Sequence, residues 1–134
     1  MEYSANAKSI SKKNAAIKIK ASEIIFGTTS QSEDNLPNPA ELFLGAFAAC
    51  ILKNVERFSD LMKFEYSSAE IQVKAIRLEK PPRMDSINYD LKIYSEDENL
   101  NSALLQKNIE KFGTIFNTVK LACTVTGAIK KIAD

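Results

Sequence analysis

The sequence predicts an α+β fold, and three observations carry that expectation. Runs of alternating or β-branched residues come in groups rather than in strict strand-helix alternation. Two longer segments repeat their apolar residues at three and four. One of those segments also opens with a full set of helix-start signals. The expected order is βββ-α-ββ-α-β, with antiparallel sheet packed on two long helices in a single domain spanning residues 1–134.

The first strands are read from "AKSISKK", "AAIKIKA" and "EIIFGTT", punctuated by Asn14 and Gly27. Thr29 to Pro37, "TSQSEDNLP", is polar and turn-rich and reads as a loop. Asn38 then stands as N-cap, Pro39 as N1 and Glu41 as N3. Together they supply an acceptor for orphan amides, a preset φ and a carboxylate at the positive helix end. The helix is expected from Pro39 to Met62. "SAEIQVKAIRLEK" and "SINYDLKIYSE" alternate apolar and polar residues and are joined through Pro81 to Asp85, so they form an antiparallel pair. Between Asn101 and Lys120, apolar residues from Leu104 to Val119 recur at helical spacing and predict a second amphipathic helix. "ACTVTGAIKKI" closes the chain as a strand.

Composition narrows the function classes. A hydrophobic fraction of 45% with 26% charged residues is ordinary for a globular chain, and a formal net charge of +1 offers no field for nucleic acid or anionic lipid. No run approaches the roughly 18 apolar residues of a membrane span, and "MEYSANAKSI" lacks the order of a signal peptide, so a cytoplasmic protein is expected. In that reducing compartment Cys50 and Cys123 are expected as free thiols. The complete absence of His excludes Cys-His and Ser-His-Asp hydrolases and zincins, and neither a metal nor a cofactor is expected.

Chemistry therefore centres on Cys50. On its helix face it neighbours Phe43, Ala46, Phe47, Lys53, Asn54 and Arg57. Cations such as Lys53 and Arg57 would favour a thiolate, the reactive form of a cysteine. The competing reading is a small buried hydrophobe. Gly45, Ala46, Ala48 and Ala49 allow another backbone to approach closely, whether a second helix or a partner subunit.

"NPAELFLGAFAAC" resembles the helix segment that carries the reactive cysteine in the OsmC/Ohr family of organic hydroperoxide reductases, and "LEKPPRMDSINYDLKIYSE" is similar to the strand pair that follows it. The resemblance implies an intertwined homodimer with its sites at the subunit interface. It implies that Cys50 attacks an organic hydroperoxide and that a dithiol reductant restores it. It also places Gly113 where the family carries its resolving cysteine, leaving Cys123 as an alternative resolver or a small strand residue. No arginine precedes Arg57 to match the family's N-terminal arginine; Lys12, Lys13, Lys18 and Lys20 would be poorer substitutes, and Arg83 would act only across a dimer. Ala40 stands where the peroxidases carry a glutamate, so Glu41 is either a helix cap or a weaker orienting group. Phe43, Phe47, Phe112 and Phe116 would line an apolar cavity or simply fill the core. The function expected is thiol-dependent hydroperoxide reduction. The alternatives are a non-catalytic member binding an apolar small molecule and a redox sensor acting through Cys50.

Overall fold

In the computed structural model all residues from 1 to 134 are described. The fold is α+β, and the chain forms two compact units, Met1–Phe43 and Leu44–Asp134. In the first unit β1 (Asn6–Ser9), β2 (Ala15–Ile19) and β3 (Ser22–Phe26) pair antiparallel in that order. The turns between them hold Lys12 and Lys20 at φ 65° and 53°, in the left-handed region that lets a short connection follow the strand twist. The loop after β3 folds back on its own strand. Gly27 N donates to Pro37 O at 3.0 Å, and a side chain at Gly27 would run into Ser32, which is buried.

Helix α1 occupies Pro39–Met62, the range expected for it, and begins where its capping residues stand. At its start Asn38 Oδ1 accepts from Glu41 N (2.8 Å) and Glu41 Oε1 accepts from Asn38 N (3.1 Å), a reciprocal capping box. At its end Lys63 turns left-handed at φ 56°, and Phe64 N donates to Ser59 O at 3.0 Å, which closes the last turn. Phe64 itself is buried and joins the core cluster.

The second unit is built on β4 (Ser68–Glu79), β5 (Pro82–Tyr94) and β6 (Thr124–Ile132), with β5 central. Alternation along β5 buries Ile87, Tyr89, Leu91 and Ile93 on one face. Ala75, Val73, Ile71 and Ala69 of β4 stand opposite them in register. Phe47, Ile51, Val55 and Phe58 of α1 form the helical stripe that covers this layer, as their three-and-four spacing requires.

The structure departs from the expected layout in three places. The β4–β5 connection is tighter than Pro81 to Asp85, because Glu79 already pairs with Pro82. Proline is tolerated there as the first residue of its strand. Strand β6 runs parallel to β5 rather than antiparallel, because the chain returns to the same end of the sheet through a helical crossover. Finally, the helix expected over Asn101–Lys120 breaks at Gly113 into α2 (Ser102–Phe112) and α3 (Thr114–Val119). Gly113 is extended at φ −71°, ψ 120°, and the helix ends where a glycine would have weakened it by about 1 kcal/mol. No helix is long and apolar enough to cross a membrane.

Candidate functional site

Cys50 lies beside the core stripe of α1, not on it. Phe47 and Ile51 point inward and are fully buried, whereas Cys50 is half-buried next to the exposed Ala46, Ala49 and Lys53. Asn54, one turn on, is buried, and its amide donates to Cys50 O at 2.9 Å and towards Cys50 Sγ at 3.7 Å. The spacing of four residues on one helix face makes this contact possible.

Gly113 closes the other side of the sulfur. A Cβ at this position would lie 3.2 Å from Cys50 Sγ, 3.0 Å from Ile109 O and 3.0 Å from Phe116 Cβ. Only a residue without a side chain lets the backbone come this close. The break in the helix is a built corner. Gly113 N donates to Ile109 O (3.0 Å) and Gly113 O accepts from Asn117 N (2.8 Å). The Asn117 side-chain amide satisfies Lys111 O at 3.0 Å, a carbonyl that the break would otherwise leave without a helical partner.

A polar network stands behind the corner. Tyr89, fully buried, donates its hydroxyl to Glu110 Oε2 at 2.6 Å. The Gln106 amide donates to Tyr89 Oη (3.1 Å), Glu110 Oε2 (3.2 Å) and Gly127 O (2.9 Å). Burial, with the Glu110 carboxylate beside it, pushes the Tyr89 hydroxyl well above its ordinary pKa, so it stays a donor. The ring of Tyr89 rests on Gly127, its β6 partner, where any side chain would collide with it. Around it, Phe47 stacks on Phe116 at 5.5 Å between centroids, and Tyr89 lies 6.3 Å from Phe47 and 6.4 Å from Phe116.

The remaining candidate residues are dispersed. Both cysteines are free, and Cys123 directs its Sγ to Met84 O at 3.5 Å. Glu41 is engaged in the capping box of α1. Arg57 lies over the ring of Phe58, 5.3 Å from its centroid, and Lys111 over Phe112 at 5.2 Å. Arg83 is exposed on β5, paired with Leu78. Of the four aromatics considered for a cavity wall, Phe47 and Phe116 belong to the core, whereas Phe43 and Phe112 are exposed at 40% and 45%. A groove of about 480 Å³ runs over the β1–β3 sheet, and Cys50 lines neither it nor the two other grooves described.

Sequence reasoning placed Asn54 on the cysteine's face without giving it a role, and it missed the Tyr89–Gln106–Glu110 network altogether. The available signals were the i, i+4 spacing of Gln106 and Glu110 and a glycine inside a strand at Gly127.

The family model for OsmC-like protein matches residues 32–131. No curated protein matches the chain in sequence. Among solved structures, an OsmC-like protein from Mycoplasma pneumoniae is similar over 98% of both chains, with a TM-score of 0.82 at 15% identity. An organic hydroperoxide resistance protein OsmC from Legionella pneumophila is similar over 96% of this chain and 97% of its own, with a TM-score of 0.68 at 15% identity. The organic hydroperoxide resistance protein OhrB of Bacillus subtilis is similar over 96% and 98%, with a TM-score of 0.61 at 16% identity. At these identities the likeness is one of fold.

Proposed function

The chain belongs to the OsmC-like family, and from that premise we propose that it reduces organic hydroperoxides at Cys50, with an external thiol completing the cycle. The Cys50 thiolate attacks one peroxide oxygen, the O–O bond breaks and the alkoxide leaves, taking up a proton as the alcohol. The sulfur, oxidised by two electrons, becomes a sulfenic acid. One thiol of a dithiol then displaces water to form a mixed disulfide. The second thiol releases Cys50 as the reductant closes its own disulfide.

The observation that carries this reading is the setting of the sulfur: half-buried, with the Asn54 amide 3.7 Å away and the Gly113 backbone against it. With glycine at position 113 and Cys123 turned to Met84 O, the resolving thiol is assigned to the external reductant. Glu41 acts first as a cap in this scheme, and any orienting role comes second. The exposed strip of Gly45, Ala46 and Ala49 suits the approach of a second copy of the chain, which would complete an apolar niche over Cys50 in a homodimer. A reducing compartment such as the cytoplasm suits two free thiols.

The test is consumption of cumene hydroperoxide or tert-butyl hydroperoxide by the purified protein with a dithiol. Cys50→Ser should abolish it, and Cys123→Ser should retain it. Turnover no greater than the Cys50→Ser background would instead support a non-catalytic protein that binds an apolar small molecule. The lack of any arginine before Arg57 favours that second reading. A sulfenic acid that forms without turnover would point to a redox sensor.

A further inference from the structure

The Tyr89–Gln106–Glu110 network, buried at Tyr89 and half-buried at the other two, is remote in sequence from Cys50, yet the helix it anchors ends at the glycine that backs the sulfur. Gln106 and Glu110 lie on α2, whose last residue, Phe112, leads straight into Gly113. Through Gln106, α2 is hydrogen-bonded to Gly127 O of β6, and through Glu110 to Tyr89 of β5. The same Tyr89 ring meets Phe116 of α3 edge-on and Phe47 of α1, one turn before Cys50. One side chain thus braces both helices that form the corner and the helix that carries the thiol.

We propose that Tyr89, Gln106 and Glu110 are positioning residues for Cys50: they lock the α2–α3 corner so that the Gly113 backbone covers one side of the sulfur. Reactants are left to approach from the exposed Ala46, Ala49 and Lys53 side of α1. The inference rests on Cys50 being the reacting thiol, but its test requires no peroxide. A polar network hydrogen-bonded around a buried hydroxyl favours one arrangement of its elements, whereas an apolar contact of the same size tolerates sliding. The corner is also the natural place for motion, because its helical hydrogen bonding is interrupted at Gly113.

The experiment measures alkylation of Cys50 by iodoacetamide in a Cys123→Ser background. Tyr89→Phe keeps the ring and Glu110→Leu keeps the volume, and each should raise the rate about fivefold, the factor that one net hydrogen bond represents. Gln106→Met, which leaves Tyr89 and Glu110 in place, should do the same and serves if Tyr89→Phe fails to fold. Glu110→Gln retains a carbonyl acceptor for Tyr89 and should stay within about twofold of the parent. Repeating the measurement at low urea separates the mechanisms, since release of the corner is present without denaturant and global unfolding climbs with it. Rates equal to the parent in Glu110→Leu and Gln106→Met overturn the proposal. So does an equal rise in Glu110→Gln and Glu110→Leu, or a rise that follows global unfolding. A protein inert towards hydroperoxide whose labelling still responds to Glu110→Leu loses the reductase reading and keeps this one.

Discussion

Gly113 backs onto the sulfur of Cys50: a Cβ there would stand 3.2 Å from Cys50 Sγ. Within a disulfide, each Cβ lies about 3 Å from the far sulfur, so the pair already has nearly the separation of a cross-link. Gly113→Cys should therefore form an intramolecular disulfide with Cys50 under oxidised glutathione, seen as the mass change on a blocked, non-reduced sample. The reduced variant should be less stable by about 1–3 kcal/mol, because Ile109 O and Phe116 Cβ, each 3.0 Å from the new Cβ, must give way. Thiols that both remain free to alkylation would show that the corner is not held at this distance.

Asn54→Leu removes the amide that donates to both Cys50 O and Cys50 Sγ. A thiolate that loses a hydrogen-bond donor is less favoured. Alkylation of Cys50 at pH 7 should slow by about two- to fivefold, with helical circular dichroism unchanged. An unaltered rate would mean that the amide serves the backbone alone.

Gly127→Ala places a methyl group into the ring of Tyr89, a rigid, fully buried side chain without room to turn away. Urea unfolding should reveal a loss of about 3 kcal/mol or more, at the upper end of overpacking penalties. A loss under about 1 kcal/mol would mean that the ring and strand separate easily.

Glu41→Gln preserves the acceptor of the capping box, whereas Glu41→Ala removes it. Stability should be unchanged in the first and fall by about 0.5–1 kcal/mol in the second. Peroxide turnover that collapses in Glu41→Gln at unchanged stability would move Glu41 from cap to active-site group.

Stability should bend at both ends of the pH range. Asp97 accepts from Glu65 N and Asn99 N at 2.8 Å each, and these backbone donors, that from Asn99 foremost, lower its pKa. A lowered folded value gives stability that is present above the unfolded pKa, near 3.8, and lost as the pH falls towards the folded one. Tyr66 is pushed up to about 12, first by burial and then by its hydrogen bond to Glu56. Its contribution is complete below the unfolded value of 10.0 and disappears as the pH rises through the folded one. Asp97→Asn should flatten the acid limb of urea midpoints against pH, and Tyr66→Phe the alkaline limb. Unchanged limbs would assign them to other groups.

Much of the fold was legible because its signals are local. Asn38, Pro39 and Glu41 announce the start of α1. The alternation of β5 and the helical spacing of α2 also lie within single elements. The break at Gly113 was not legible, because a glycine weakens a helix without having to end it. The direction of β6 was not legible, because alternation is the same in parallel and antiparallel strands and only the crossover decides between them. The family resemblance pointed to Cys50 and helical spacing put Asn54 on its face, but nothing near it in sequence indicates that the backbone of Gly113 closes on its sulfur.

The order of strands and helices, the start of α1 and the presence of one thiol on its flank were thus set by residues a few positions apart, where backbone geometry and capping act. Only the tertiary structure decided that the thiol faces Gly113 and that Tyr89 joins Gln106, Glu110 and Gly127 behind it. Those contacts depend on how sheet and helices pack across long stretches of chain, and close packing has no signature in any short run of sequence.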